Sequence, residues 1–88
     1  MSDDPVLRDH RAQLAAIDRE ILAALNRRIG VVRQIRQHKQ AKGLDFLDPA
    51  QERRLLADLA EANPGPLPEA GLREVFGLIL AWAKRAAD

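Results

Sequence analysis

The chain begins with a long uninterrupted helical pattern in residues 4–43, DPVLRDHRAQLAAIDREILAALNRRIGVVRQIRQHKQAKG. Asp4 is a suitable N-cap, Pro5 suits the first helical position, and Gly43 is a suitable stop after Lys42. The pattern therefore predicts one helix from about Pro5 to Lys42. Apolar residues recur three and four positions apart along it, as one face of a helix requires: Leu7, Leu14, Ile17, Ile21, Leu25, Val32 and Ile35.

A helix of this length is too long for the rest of the chain to cover. At 1.5 Å per residue it spans roughly 55 Å. A compact globule of 88 residues has a radius of gyration near ~12 Å. The apolar face therefore cannot be buried within one subunit, and a homodimer is the simplest way to cover it.

Two shorter helices are predicted after a brief connection over residues 44–47. Asp48 and Pro49 begin the second helix, and Gln51 completes a capping-box-like start. The sequence NPGP at residues 63–66 stops this helix firmly. The third helix is predicted from about Pro68 or Glu69 to Ala86. The expected fold class is all-α, with three helices per chain and a single domain over residues 1–88.

Composition excludes several functional classes. With 14 basic and 13 acidic residues the net charge is +1, which gives no electrostatic case for nucleic acid as the main partner. The absence of Cys excludes disulfides and thiolate metal sites, and His10 and His38 are too far apart for a local metal pair. No apolar run approaches the ~20 residues that span a bilayer, and residues 1–10 lack the apolar core of a signal peptide. We therefore expect a soluble cytoplasmic protein without membrane contact.

Two cations interrupt the apolar face of the first helix. Arg28 and Lys39 occupy positions in the three-and-four series where Leu or Ile belongs. They are eleven residues apart, or ~16 Å along the axis, with Val32 and Ile35 between them. An apolar floor with a cation at each end suits a small dicarboxylate with an apolar body. The alternative is that both side chains snorkel from the edge of the apolar face.

Arg11 lies on the same broad face, seventeen residues before Arg28. That separation is roughly 25 Å along one helix, so both guanidinium groups cannot touch one small molecule within a chain. An antiparallel partner helix could bring its own Arg11 to Arg28. A shared site would therefore itself require a homodimer.

With this long first helix and its three cations, Arg11, Arg28 and Lys39, the sequence resembles the all-helical chorismate mutases, the type II family. The resemblance extends over nearly the whole chain, through the loop from Gly43 to Glu52 and segments 63–67 and 75–79. These pieces in their order along the chain are more specific to the family than any single piece. The first forty residues carry most of the resemblance: Leu7, Arg11, Leu14, Ile17, Asp18, Ile21, Leu22, Leu25, Asn26, Arg27, Arg28, Ile35 and Lys39.

The resemblance implies an intertwined homodimer of three-helix chains with two sites built from both subunits. It also implies the rearrangement of chorismate to prephenate on the route to Phe and Tyr. This pericyclic reaction needs no nucleophile, metal or cofactor, so the enzyme acts by positioning and by electrostatic stabilisation.

Residue roles follow from the resemblance by position. Arg28 and Arg11 of the partner subunit would bind substrate carboxylates, since the planar guanidinium meets a carboxylate bidentately. Lys39 would reach both a carboxylate and the ether oxygen, and Asp48 and Glu52 would hold the ring hydroxyl. Asp48 could instead be only an N-cap, and Glu52 only a solvated first-turn acid. The apolar walls would be Leu7, Val32, Ile35 and Leu80.

Three positions depart from the family pattern. Gln51 stands where many members have Arg, although Arg53 is two residues further on. Ala83 stands where Ser or Thr is usual, and Ala87 where a Gln donates to the ether oxygen. Gln51 and Ala83 remain candidates for the substrate pocket by position, but the loss of a donor could cost several kcal/mol of transition-state stabilisation.

Lys84 is unusual for its position, where relatives commonly have an apolar residue lining the pocket. We expect its side chain to point into the site and partly replace the missing donor. The alternative is that Lys84 and Arg85 form only a basic last turn, which the helix dipole favours.

Other functions stay open on the sequence alone. An isochorismate pyruvate-lyase or an aminodeoxychorismate mutase would share the same scaffold and cations. A weakly active regulatory module would need a partner enzyme of the same pathway. Gln51, Ala83 and Ala87 favour this alternative. A purely structural helical dimer would bind no ligand.

Overall fold

The computed structural model describes residues 4–87, which form three helices and no strand. The helices are α1 (Pro5–Lys42), α2 (Pro49–Ala62) and α3 (Glu69–Ala86). The all-α class, the very long first helix and the predicted helix bounds are confirmed. The single domain over residues 1–88 stays a prediction, and residues 1–3 and 88 lie outside the described part.

Short side-chain and backbone signals set both ends of α1. An Asp4 carboxylate oxygen accepts a hydrogen bond from the Val6 N–H at 2.8 Å, which satisfies one of the unpaired donors of the first turn. Gly43 has a φ of +67°, in the left-handed region that favours glycine. The next N–H, of Leu44, donates to the Lys39 carbonyl at 2.8 Å and closes the helix end.

The third helix forms the centre of the fold. α3 packs against both α1 and α2, and Arg33 on α1 donates through Nη2 to the Ala86 carbonyl at 2.9 Å. This bond pairs one of the last carbonyls of α3 and joins its end to α1. The small buried core lies on this helix and at its end: Leu72, Leu80, Ala83 and Ala87.

The first half of α1 extends beyond this core. Every residue from Pro5 to Ala24 is exposed, and Leu25 is the first that is partly buried. The described chain measures 58 × 26 × 17 Å and has a radius of gyration of 17.1 Å, well above the ~12 Å of a compact chain of this length. Leu14 and Ile21 are 58% and 52% exposed. The rest of the described chain therefore leaves the apolar face of α1 uncovered, as the helix length predicts.

Candidate active site

A pocket of about 150 Å³ lies where the C-terminal half of α1, the start of α2 and the end of α3 meet. We call it the polar pocket. Ten of its eleven lining residues are residues singled out by the sequence, and Phe46 is the additional one. The lining residues are Arg28, Val32, Ile35, Lys39, Phe46, Asp48, Gln51, Glu52, Leu80, Ala83 and Lys84.

One face of α1 supplies the apolar floor of the pocket and a cation at each end. Val32 and Ile35 lie between Arg28 and Lys39, as the three-and-four spacing requires. Arg28 is half-buried, and no group within residues 4–87 forms an ion pair with its guanidinium. A half-buried cation without a counter-ion carries a desolvation cost that a bound anion would offset.

Lys39 is tied to the loop between α1 and α2. Its Nζ donates to the Phe46 carbonyl at 3.2 Å. Because an ammonium group has three N–H donors, two remain available for a ligand. The bond therefore positions Lys39 over the pocket without using up its charge.

Phe46 is the pocket residue that the sequence reasoning missed. Its ring lies under the Arg36 guanidinium, 4.5 Å from the ring centroid, in a cation–π arrangement. The available signal was an aromatic residue in the short connection Leu44–Asp45–Phe46–Leu47, in a chain with only two Phe. Such a ring is rarely left in a loop unless it packs on something.

Asp48 is a helix cap whose side chain also lines the polar pocket. One carboxylate oxygen accepts from the Gln51 N–H at 3.1 Å, so Asp48 is the N-cap of α2. The side chain also lines the polar pocket, and a carboxylate has four lone-pair sites. Capping therefore leaves Asp48 able to accept a further hydrogen bond.

The capping box predicted at this helix start is only half formed. The Gln51 side chain turns to Arg54 and accepts from its Nε at 3.2 Å and its Nη2 at 2.8 Å. The reciprocal bond, in which the Asp48 N–H would donate to the Gln51 side-chain oxygen, is therefore replaced, because a charged guanidinium is a stronger donor than a neutral amide.

Lys84 reaches across the pocket to α2. Its Nζ lies 2.7 Å from Oε1 of Glu52, 32 positions earlier in the chain. About a third of each side chain is exposed, 36% for Lys84 and 34% for Glu52. Lys84 belongs to the basic last turn of α3 and also lines the polar pocket, so the two alternatives for this residue are compatible.

Ala87 does not line the polar pocket. It is buried at 2% exposure, and its N–H donates to the Ala83 carbonyl at 3.0 Å. A methyl group in this position offers no donor, and its backbone N–H is already paired.

Arg11 and Leu7 lie far from the pocket, on the exposed first half of α1. Arg11 is seventeen residues from Arg28 on one continuous helix, or roughly 25 Å. Leu7 lies one turn beyond Arg11 at the far end of the helix and does not line the polar pocket of its own chain, so its role as a pocket wall stays a prediction.

A second cavity adjoins the polar pocket. This groove of about 350 Å³ runs between α1 and α3, and we call it the apolar groove. Arg28 and Ala83 line both cavities, so the groove opens directly beside the polar pocket. Its other lining residues are all apolar: Ile21, Leu25, Ile29, Val75, Leu78, Ile79 and Trp82.

Within residues 4–87, no group of three His, Cys, Asp or Glu side chains is placed to hold a metal ion. None of the helices in the same range combines the length and the apolar character needed to cross a bilayer.

The structure defines a three-helix protein with a pocket lined by three cations and two carboxylates, and comparison with known proteins identifies the family. The family model for chorismate mutase type II matches residues 10–87. The solved structure of chorismate mutase (form II) from Thermus thermophilus is 31% identical, with a TM-score of 0.89 over 92% of each chain. Form I from the same organism is 32% identical, with a TM-score of 0.86 over 88% of this chain and 96% of that chain. Comparison with curated proteins gave no significant match.

The chain therefore belongs to the chorismate mutase type II family. This membership makes it an enzyme of the isomerase class. The resemblance inferred from the residues of α1 and the following loops is thereby confirmed.

Substitution at Asp48 separates its two roles. Asp48→Ala is expected to lower the free energy of unfolding by about 1 kcal/mol because the cap is lost. Asp48→Asn is expected to keep stability within ~0.5 kcal/mol, because Asn caps as well as Asp. Denaturant unfolding followed by circular dichroism measures both. If Asp48 also binds substrate, Asn at this position lowers kcat/KM for chorismate; an unchanged value would restrict Asp48 to capping.

Proposed function

We propose that this protein is a chorismate mutase of aromatic amino-acid biosynthesis, which converts chorismate to prephenate as a cytoplasmic homodimer without metal or cofactor. The observation that carries the proposal is the half-buried Arg28, which lacks a counter-ion among the described residues and faces Lys39 across an apolar floor. Family membership supports the reaction type.

The reaction suits a site of fixed cations and hydrogen-bond groups. A carbon–carbon bond forms between the enolpyruvyl methylene and the ring while the ether carbon–oxygen bond breaks, and no proton is gained or lost. The enzyme therefore has to hold the side chain over the ring and stabilise negative charge on the departing ether oxygen.

The residues of the polar pocket can divide this work. We assign the two substrate carboxylates to Arg28 and to Arg11 of the partner subunit, and the ether oxygen to Lys39, which also reaches a carboxylate. Asp48 and Glu52 accept hydrogen bonds from the ring hydroxyl. All of these except Arg11 line the pocket, which supports the assignment.

Further residues complete the site. Val32, Ile35 and Leu80 form its apolar walls, and Gln51 and Ala83 also line it. Lys84 uses one of its N–H donors on Glu52, and another can supply part of the donor that Ala87 lacks.

The uncovered apolar face of α1 supports the proposed homodimer. In an antiparallel pair of α1 helices, Arg11 lies opposite the partner's Arg28 when the two-fold axis passes near residues 19–20, midway between positions 11 and 28. Ile21, beside that axis, lines the apolar groove. A partner helix seated there would cover the exposed apolar residues and approach the polar pocket at Arg28.

A weakly active module that depends on another enzyme of the pathway is the second candidate. Ala83 and Ala87 support it, since both are buried methyl groups at 2% exposure where hydrogen-bonding side chains are usual in the family. Adding the partner synthase would raise the rate under this reading and leave it unchanged if the chain works alone.

Turnover and product identity test the proposed reaction. The purified protein is expected to convert chorismate to prephenate, with no release of pyruvate. Arg28→Met and Lys39→Met are each expected to lower kcat/KM by about 10²–10³-fold, the usual effect of losing a group that stabilises transition-state charge.

Matched controls are Arg73→Met and Lys42→Met, exposed cations outside the polar pocket. They should leave kcat/KM within about twofold, and all four variants should keep the helical circular dichroism spectrum. Wild-type turnover at the uncatalysed background would contradict the proposal. Release of pyruvate from isochorismate, or turnover of aminodeoxychorismate alone, would assign a different reaction to the same scaffold.

Oligomeric mass tests the proposed assembly. Light scattering of the wild-type protein is expected to give the mass of two chains. Ile21→Glu should shift the equilibrium towards monomer at the same concentration, because it places a charge in the apolar groove. Leu44→Glu, an exposed position outside the groove, should remain dimeric. A wild-type monomer at all concentrations would refute the assembly.

A further inference from the structure

The Lys84–Glu52 ion pair places a third cation where the ring of the substrate would be recognised. We propose that Lys84 is a specificity-determining residue, which makes the site accept a ring hydroxyl and reject a ring ammonium group. This inference rests on the proposed function, in which Asp48 and Glu52 hold the ring substituent. It adds which ring substituent a substrate of the same site may carry.

Without Lys84 the end of the pocket on α2 would favour cations. Asp48 and Glu52 are four residues apart at the start of α2 and both line the polar pocket. Two neighbouring carboxylates attract a positive charge. A ring amino group, protonated at neutral pH, would then be at least as acceptable as a hydroxyl.

Lys84 reverses this preference. Its ammonium lies 2.7 Å from Oε1 of Glu52, so it neutralises that carboxylate and sets its own positive charge beside the ring substituent. A neutral hydroxyl can still donate to the remaining lone pairs of Glu52. An ammonium group would have to approach Lys84, and such a like-charge contact is the kind of unfavourable element that creates specificity.

The charge count of the whole pocket agrees with this selection. The lining residues of one chain include three cations, Arg28, Lys39 and Lys84, and two carboxylates, Asp48 and Glu52, a net charge of +1. Arg11 of the partner subunit, which the proposed function adds to this site, raises the charge to +2. A dianionic substrate with a neutral hydroxyl balances a charge of +2, whereas a substrate that also carries an ammonium group has a net charge of −1 and leaves one positive charge unbalanced. Because a third of the ion pair is exposed, solvent reduces the effect without removing it.

A basic last turn does not by itself explain the direction of Lys84. Arg85, the next residue, also lies in the last turn of α3 and is exposed. Its guanidinium stacks over the Trp82 ring, 4.9 Å from the centroid. Either residue satisfies the helix dipole, yet only Lys84 crosses to α2.

The test compares chorismate with its amino analogue, in which an ammonium group replaces the ring hydroxyl. The ratio of kcat/KM for the two compounds is measured in wild type, Lys84→Met and Lys84→Arg. Lys84→Met is expected to lower the preference for chorismate about tenfold, a partly screened like-charge effect. Lys84→Arg keeps the charge and should hold the ratio near wild type, as should the control Lys42→Met.

The outcomes separate this proposal from the proposed function. If Lys84→Met lowers kcat/KM for both compounds by the same factor, Lys84 contributes to rate or structure and the selectivity proposal is overturned. Dissociation constants for the two compounds, measured by calorimetry with and without Lys84→Met in the slow Lys39→Met background, report the binding preference independently of catalysis. Wild-type turnover at background contradicts the proposed function, whereas an unchanged binding ratio in Lys84→Met overturns the role of Lys84.

Discussion

The length of α1 relative to the rest of the chain constrains everything else in this structure. Two shorter helices can cover only the C-terminal half of α1, and every residue from Pro5 to Ala24 stays exposed. An apolar face of this extent is not left in water by a stable protein of this size. The same exposed segment carries Arg11. One stretch of helix therefore has both the apolar face that needs a partner and the cation that lies far from the pocket of its own chain.

Arg28 connects this constraint to the chemistry. It lies at the boundary of the apolar groove and the polar pocket and lines both. A helix that fills the groove would remove water from one side of its guanidinium and thereby strengthen its interaction with an anion on the other side. In the proposed dimer, assembly and substrate binding would therefore use adjacent surfaces of this 88-residue chain.

Contacts within a helix were predictable from the sequence, and contacts between helices largely were not. Capping signals at Asp4, Gly43 and Asp48 gave the helix bounds because they act over three or four residues. The floor of the pocket followed from the helical period in the same way. The Lys84–Glu52 pair spans 32 positions, so its partner depends on how α3 packs against α2. The family resemblance supplied the expectation that Lys84 faces the pocket, but not the residue that it meets.

The central claim is that each active site takes Arg28 from one chain and Arg11 from the other. Mixing two inactive variants, Arg11→Ala and Arg28→Ala, under conditions of subunit exchange tests it directly. Half of randomly paired dimers are mixed, and each mixed dimer has one site with both arginines, so about a quarter of wild-type turnover should return. A mixture no more active than the average of the two separate variants would contradict the shared site.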